Sequence, residues 1–148
     1  ARRGGAPAVI GRGTLVVGLL LFPEHAGPAS IRWRTDEAGA RAEALRSGRA
    51  LLVDAWADWC AGCKLLDRNT WSDPTVRAEV QERFVPLRID LSQVEGPDEA
   101  RLRMLGVEAL PAVLVCAPRG CDGDSPRSVG YVGPGEMLVF LRKPALSR

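Results

Sequence analysis

The feature that most restricts the fold of this chain is a short apolar run that leads directly into a closely spaced pair of cysteines. The run, Ala50–Trp56, contains one charged residue, Asp54, and is followed by Trp-Cys-Ala-Gly-Cys-Lys at positions 59–64. Its length and flanking residues are typical of a fully buried strand in a parallel or mixed sheet. We therefore expect a strand that ends close to the cysteines and a helix that begins near Cys60.

The position of the two cysteines predicts redox chemistry. Backbone N–H groups at a helix N-terminus have no intrahelical partner, and the helix dipole there favours negative charge. A thiolate at Cys60 would be stabilised by both effects, so we expect this thiol to ionise more readily than a free one. Cys63 lies one turn further along and would be more buried. Cys60 would then be the exposed nucleophile, and Cys63 would resolve mixed disulfides.

The same spacing is also compatible with half of a zinc site. Cys116 and Cys121 could supply the other two thiolates, but four residues separate them and a buried strand precedes Cys60. A zinc loop is usually short and polar, so the pattern favours a redox pair, with a zinc-stabilised binding module as the alternative.

Hydrophobic periodicity and turn residues predict alternating strands and helices in the rest of the chain. Such an order implies crossover connections and a sheet covered by helices, with the last two strands as an antiparallel hairpin. The predicted class is α/β, with a central mixed β-sheet covered by helices on both faces.

In order, we predict a strand at 31–34, a helix at 36–47 capped by Thr35 and stopped by Gly48, the strand Ala50–Trp56, a helix at 60–69, a helix begun by Asp73 and Pro74, a strand at 84–91, a helix at 97–105, strands at 112–116 and 127–132, and a helix at 135–141.

Three segments resemble the thioredoxin superfamily. The run A-L-L-V-D-A-W-A-D-W-C-A-G-C-K (50–64) is similar to its active-site segment, in which a buried Asp stands where this chain has Asp54. The run L-G-V-E-A-L-P-A-V-L-V (105–115) resembles its cis-proline loop, with Pro111 as the cis-proline. The run V-G-Y-V-G-P-G-E-M-L-V-F-L (129–141) resembles its final strand, glycine and helix. The resemblance implies a thioredoxin-like fold over residues 31–142.

Within the superfamily, the chain is most similar to the C-terminal periplasmic domains of DsbD-type thiol:disulfide interchange proteins. The shared patterns are A-D-W-C-x-x-C-K (57–64) and N-T-W-S-D-P-x-V (69–76), and Arg68 stands where ordinary thioredoxins carry a proline. Asp67 matches a position where these domains place an acid. The Ala61-Gly62 dipeptide departs from the Gly-Pro of thioredoxins.

The resemblance implies a protein-disulfide reductase whose Cys-Ala-Gly-Cys dithiol takes electrons from a membrane-embedded donor and passes them to periplasmic protein disulfides. It implies a periplasmic monomer, tethered to the inner membrane in the full-length protein, with no cofactor beyond its own disulfide. A free-standing general thioredoxin is the alternative within the same class.

Supporting roles follow for two residues of the matched segments. Burial should raise the pKa of Asp54, so that its carboxyl can accept and return a proton under the dithiol. The other reading of Asp54 is an acid satisfied by backbone donors at a strand end. Pro111, if cis, would place backbone beside Cys60 for pairing with an extended substrate segment. The other reading of Pro111 is a trans proline at the start of a strand.

Three further residues are candidates for the site. Asp67 is four residues after Cys63, hence on the same helix face, and could assist proton transfer or be a solvated acid. Lys64 could stabilise a thiolate or be a surface residue. Trp59 borders the cysteines and could shield the sulfur or contact the partner.

The second cysteine pair has a different setting. Cys116 and Cys121 flank Ala-Pro-Arg-Gly, a turn sequence. The two could form a structural disulfide across a hairpin, which would favour an oxidising compartment. The alternative is two reduced thiols.

Charge excludes one class of partner and separates the N-terminal segment from the rest. The chain has 20 basic and 18 acidic side chains, a net charge of +2, whereas nucleic-acid binders need a denser basic face. Residues 1–34 hold five arginines against one acid. The apolar run at 14–22 is shorter than the roughly 20 residues that span a bilayer. We expect residues 1–30 to be a basic and apolar linker, disordered or the remnant of a membrane segment, and residues 31–148 to be the domain.

Overall fold

One mixed sheet organises the described chain, and the predicted buried strand lies inside it. The computed structural model describes residues 30–93 and 96–143. Its strands are β1 (Ala50–Trp56), β2 (Phe84–Asp90), β3 (Ala112–Cys116) and β4 (Arg127–Val129). They lie in the order β2-β1-β3-β4, with β1 parallel to β2 and antiparallel to β3, and β4 antiparallel to β3.

Helices cover both faces of this sheet because the strands send alternate side chains to opposite sides. The helices are α1 (Glu37–Ser47), α2 (Ala61–Leu65), α3 (Pro74–Arg83), α4 (Pro97–Leu105) and α5 (Pro134–Arg142), and a π-helical turn (Leu66–Thr70) follows α2 directly. One core cluster joins the sheet to α1 and α4 and includes Ala40, Ala44, Leu51, Val53, Ala55, Val85, Leu87 and Leu114. The other joins it to α3 and α5 and includes Leu52, Val76, Val80, Val113, Met137 and Leu141. The predicted α/β class, with a mixed sheet covered on both faces, is confirmed.

The strand predicted at 31–34 is wrong, because only Arg34 forms a β-bridge, in parallel with Leu87. The Arg34 N–H donates to the Pro86 carbonyl at 3.0 Å, and the Arg88 N–H donates to the Arg34 carbonyl at 2.8 Å. The next bond of this ladder would need an N–H from Pro86, which proline does not have. The pairing therefore stops after one bridge.

The helix predicted at 36–47 forms, but its cap is Asp36 rather than Thr35. The Asp36 carboxylate accepts the N–H groups of Ala38 at 3.1 Å and Gly39 at 3.0 Å. A carboxylate has two oxygens and can satisfy two free donors of the first turn at once, which a threonine hydroxyl cannot do as readily. Gly48 ends the helix in the left-handed conformation, at φ 67°, as predicted.

Two other predicted elements differ in extent. The helix predicted at 60–69 changes its winding after Leu65, and in the π-helical turn the Trp71 N–H donates to the Leu66 carbonyl at 2.8 Å, five residues back. The strand predicted at 127–132 ends at Val129, because Gly130 has a φ of +87° and turns the chain.

The second cysteine pair closes the far end of β3. Cys116 and Cys121 form a disulfide with Cα atoms 4.7 Å apart, and the Gly120 N–H donates to the Ala117 carbonyl at 2.9 Å inside the loop. The segment 1–29 lies outside the described residues, so the predicted linker and its boundary stay predictions. Within the described ranges, no helix is long and apolar enough to cross a membrane.

The Cys116–Cys121 disulfide should contribute to stability by restricting the unfolded chain. The cysteines are five residues apart, and closing so small a loop is worth about 2 kcal/mol in the chain-entropy treatment. We expect the Cys116→Ala/Cys121→Ala variant to fold but to lose about that much free energy of unfolding. Urea denaturation of both proteins measures the difference, and coincident curves would contradict the structural role.

Candidate active site

The first cysteine pair lies where the end of β1 leads into α2. Cys60 is the N-cap residue of α2, with an extended backbone at φ −81° and ψ 103°. Cys60 and Cys63 form a disulfide with Cα atoms 5.3 Å apart. The Cys60 Sγ also accepts the backbone N–H of Cys63, at 3.1 Å. The structure thus directs a donor at the sulfur that is expected to carry negative charge.

The pair is more enclosed than the sequence analysis predicts. Cys60 is 5% exposed and Cys63 is 1% exposed, so the order of burial is as expected but Cys60 is not an exposed residue in the disulfide form. Ala57, Trp56 and Leu110 pack around the two sulfurs and account for this burial. Only a small part of Cys60 is therefore accessible to a partner in the disulfide form.

The loop before β3 packs against α2 between the two cysteines. The Leu110–Pro111 peptide bond is cis, as the resemblance implies. A Cβ placed on Gly62 would lie 2.7 Å from the Pro111 Cδ, so the proline ring packs directly on the backbone of α2 at a glycine. The Pro111 carbonyl accepts the N–H of Gly130 at 2.8 Å, which ties this loop to the end of β4.

Asp54 lies in the middle of β1 and is 1% exposed. The parallel register places it opposite Arg88 of β2. The Arg88 Nε–H donates to the Asp54 Oδ2 at 2.9 Å, and the Arg88 Nη2 lies 2.7 Å from the same oxygen as an ion pair. Asp54 Oδ1 is buried and has no hydrogen-bond partner. The hydrogen-bond donor to Asp54 is therefore a side chain, not the backbone donors of the alternative interpretation.

Burial raises the pKa of Asp54 from its ordinary 3.8 to about 6. Desolvation of the charged form is the main cause, and the attraction of Arg88 offsets only part of it. The Asp67 carboxylate adds a smaller contribution in the same direction as burial. The direction is the one expected from the sequence.

Asp67 is the second carboxylate on Arg88, with the Arg88 Nη2 2.5 Å from Oδ1 and Nη1 3.4 Å from Oδ2. The Arg88 guanidinium thus joins Asp67 to Asp54. The role of Asp67 in proton transfer stays a prediction.

Trp59 and Lys64 lie on the surface beside the pair. Trp59 is 54% exposed, and its indole Nε1–H donates to the Ser92 carbonyl at 3.0 Å. The Ser92 hydroxyl accepts the Asp58 N–H at 2.9 Å, so the loop after β2 fixes the segment before Cys60. Lys64 is exposed on α2.

The two cysteine pairs cannot combine into one metal site. Cys116 lies opposite Leu51 near the start of β1, whereas Cys60 follows the end of that strand. With about 3.3 Å per residue along a strand, the two pairs are at opposite ends of the sheet. All four cysteines are paired in disulfides, and the described residues contain no other cluster of His, Cys, Asp and Glu suited to a metal ion.

Arg88 is the site residue that the sequence analysis did not single out. A signal was present, because Arg88 is the one cation in the otherwise apolar first six residues of β2, and β1 carries a single acid. Pairing the two strands in register brings these charges together. Sequence spacing alone does not give that register.

Taken together, the geometry can support reversible exchange between a dithiol and a disulfide. It provides two cysteines at bonding distance, a backbone donor at the first sulfur, and a buried carboxyl whose pKa burial raises to about 6. A carboxyl of this kind can accept a proton from a thiol during exchange.

Comparison with known proteins agrees with this site. Residues 32–118 match a family model described as thioredoxin-like. The chain is 31% identical over 128 residues to the thiol:disulfide interchange protein DsbD 1 of Pseudomonas aeruginosa, which covers 82% of this chain and 22% of that protein. The chain thus spans about a fifth of that relative's length.

Two solved structures share the fold. The oxidised C-terminal domain of DsbD from Neisseria meningitidis has a TM-score of 0.60 and 24% identity, covering 73% of this chain and 95% of that domain. A thioredoxin from Thermus thermophilus has a TM-score of 0.65 and 24% identity, and the match covers 76% of this chain and 85% of that thioredoxin. Because the family model spans more than half of the sequence and the sheet and cysteine pair agree with it, the chain belongs to the thioredoxin-like family, with DsbD proteins among its relatives.

Proposed function

We propose that this chain is a thiol–disulfide oxidoreductase that uses Cys60 and Cys63 to exchange two electrons and two protons with protein disulfides. The disulfide that joins these residues across the first turn of α2, beside Pro111, is the observation that carries the proposal. The DsbD relatives support it, since their name states thiol:disulfide interchange.

The first step is attack by the Cys60 thiolate on the partner's disulfide. A bond forms between the Cys60 Sγ and one partner sulfur, the partner's S–S bond breaks, and the other partner sulfur leaves as a thiolate that takes a proton from water. The Cys63 N–H, which meets the Cys60 Sγ in the structure, stabilises the attacking thiolate.

Resolution by Cys63 completes the exchange. The Cys63 thiol gives its proton to the buried Asp54 carboxylate, and the Cys63 thiolate attacks the Cys60 Sγ. The bond between Cys60 and the partner breaks, and the partner's sulfur leaves as a thiolate that takes up a proton, from Asp54 or from water. The partner is then a dithiol, and this chain is oxidised to its disulfide. A dithiol donor then reduces the Cys60–Cys63 bond in the reverse sequence.

The surface around the pair suggests how a partner is held. Trp59 is fixed by Ser92 and exposes an apolar ring beside Cys60, and the backbone next to Pro111 can pair with an extended segment of the partner. Exposed Lys64 adds positive charge at the same rim. In this proposal Trp59, Lys64 and Pro111 position the partner, and the cysteines carry the chemistry.

The proposed cellular role follows the DsbD relatives. The domain would receive electrons from a membrane-embedded donor and deliver them to protein disulfides in the periplasm, as a monomer and without a cofactor. Exchange should then be faster with the N-terminal domain of a DsbD relative than with insulin. Equal or faster reduction of insulin would favour a general thioredoxin.

Substitution of each cysteine should produce different results. Cys60→Ser should reduce dithiothreitol-driven insulin reduction to the uncatalysed background, because no nucleophile remains. Cys63→Ser should instead accumulate mixed disulfides through Cys60, because nothing resolves them. Non-reducing electrophoresis with mass spectrometry measures the trapped species.

The matched control for these variants is Cys116→Ala/Cys121→Ala, which should keep insulin reduction. Full activity of Cys60→Ser, or loss of activity only in the control, would contradict the assignment.

Burial of Asp54 makes the free energy of unfolding depend on pH. Its folded-state pKa of about 6 lies above the unfolded value near 3.8, so the folded protein holds the proton more tightly. The contribution of Asp54 to stability is therefore greatest below about pH 4, falls as pH rises to 6, and stays lower above it by about 2–3 kcal/mol.

Asp54→Asn should remove this cost, because the amide does not ionise. We expect the variant to be more stable than the wild type above pH 6 by up to about 2–3 kcal/mol, with the difference vanishing below pH 4. Urea unfolding of the oxidised proteins at several pH values measures this. Asp124→Asn, a change at an exposed acid, is the control, and a destabilised Asp54→Asn at pH 8 would overturn the interpretation.

A further inference from the structure

Behind the cysteine pair, one guanidinium holds two carboxylates. Arg88 reaches Asp54 with Nε and Nη2, at 2.9 and 2.7 Å, and reaches Asp67 with Nη2 and Nη1, at 2.5 and 3.4 Å. A planar guanidinium can serve two carboxylates along different edges, whereas an ammonium is a compact point charge. Asp54 and Asp67 are therefore joined through one side chain.

Two indole rings hold this guanidinium in place. The Arg88 Cζ lies 4.9 Å from the Trp33 ring centroid and 5.7 Å from that of Trp56. Cation–π contacts of this kind restrain a guanidinium as well as stabilise its charge. Trp56 also packs against the cysteine cluster, so Arg88 is separated from the disulfide by one side chain.

Few charged side chains lie near Asp54 in the described part of the chain. Arg88 comes from β2 and Asp67 from the π-helical turn. From β3, the residue opposite Asp54 is Val113, which is apolar. Cys63 of α2 is in a disulfide and does not titrate in this state.

The solvent side of Arg88 is also defined. Arg88 lines an open cavity of about 320 Å³, together with Asp90 and Arg101. Asp90 accepts the Ser92 N–H at 2.9 Å, and Arg101 forms an ion pair with Glu37. Water in this cavity can reach the guanidinium, and Asp67 is 36% exposed on the same network.

We propose that Arg88 is a positioning residue: because it binds the buried Asp54 and the partly exposed Asp67 at once, it sets the pH at which Asp54 gives up its proton and, through Asp54, the pH dependence of thiol–disulfide exchange. The kinetic part of this inference rests on the proposed function. The coupling itself belongs to the folded, oxidised chain and can be measured without any exchange reaction.

The proposed coupling predicts that removing Arg88 and removing Asp67 move the titration of Asp54 in opposite directions. Without Arg88, the Asp54 carboxylate loses its cation, so Asp54 should hold its proton to higher pH. Without Asp67, a negative charge is removed and Arg88 serves Asp54 alone, so Asp54 should lose its proton at lower pH. A residue that merely supported the fold would not produce opposite shifts.

The direct test is an NMR titration of the Asp54 carboxyl carbon in the oxidised protein, for wild type, Arg88→Met, Arg88→Lys and Asp67→Asn. We expect a wild-type midpoint near pH 6, an upward shift of about one unit or more in Arg88→Met, a smaller upward shift in Arg88→Lys, and a downward shift in Asp67→Asn. Should Arg88→Met not fold, Arg88→Lys and Asp67→Asn still decide the sign.

A kinetic test links the coupling to exchange. The rate at which oxidised glutathione oxidises the reduced chain should change its pH midpoint in the same directions. In an Asp54→Asn background, Arg88→Lys should no longer move that midpoint. Arg34→Met is the matched control. The Arg34 Nε and Nη2 donate to the two carboxylate oxygens of Glu43, each at 2.7 Å, so this variant also removes an arginine that binds a carboxylate but leaves Asp54 untouched.

The outcomes separate the two proposals. An Asp54 midpoint that is the same in wild type, Arg88→Lys and Asp67→Asn, or that moves in one direction in both variants, would overturn the coupling while leaving exchange by Cys60 intact. Exchange that persists in Cys60→Ser would overturn the proposed function while leaving the NMR result to stand.

Discussion

A carboxylate in the middle of a buried strand needs a cation, and the parallel pairing of β1 with β2 provides one. The register sets Asp54 opposite Arg88, and the ion pair at 2.7 Å lowers a burial cost that would otherwise keep the carboxyl neutral. The compensation is partial, since the pKa of Asp54 stays near 6. The same strand leads into α2, whose N-cap is Cys60, so consecutive elements hold the acid and the nucleophile.

The two disulfides divide their tasks between opposite ends of the sheet. Cys60 and Cys63 lie at the end of β1, with a cis-proline loop packed on Gly62 and an exposed tryptophan beside them. Cys116 and Cys121 close a loop after β3, where Cys116 pairs with Leu51. This separation keeps Cys116 and Cys121 out of reach of Cys60 and Cys63. Exchange at the first pair therefore leaves the Cys116–Cys121 disulfide intact.

Local patterns in the sequence predicted much of this architecture. The apolar run of β1, the Asp73–Pro74 helix start, the glycine stop after α1 and the Cys-x-x-Cys spacing each act over a few residues, and the structure has all of them. The predictions that were wrong or incomplete concern residues whose contacts come from distant parts of the sequence. Pro86 cut short the strand at 31–34, Leu110 helped to bury Cys60, and Arg88 met Asp54 only through strand register.

A redox titration against glutathione shows whether the Cys60–Cys63 disulfide is reduced and re-formed in the folded protein. In the Cys116→Ala/Cys121→Ala background, the pair should open and close reversibly as one two-electron couple, with the oxidised fraction changing tenfold against the reduced for about every 30 mV. Mass spectrometry after alkylation counts the free thiols at each potential. A pair that stays closed throughout, or that opens only when the protein unfolds, would show that it is a structural staple and contradict the account.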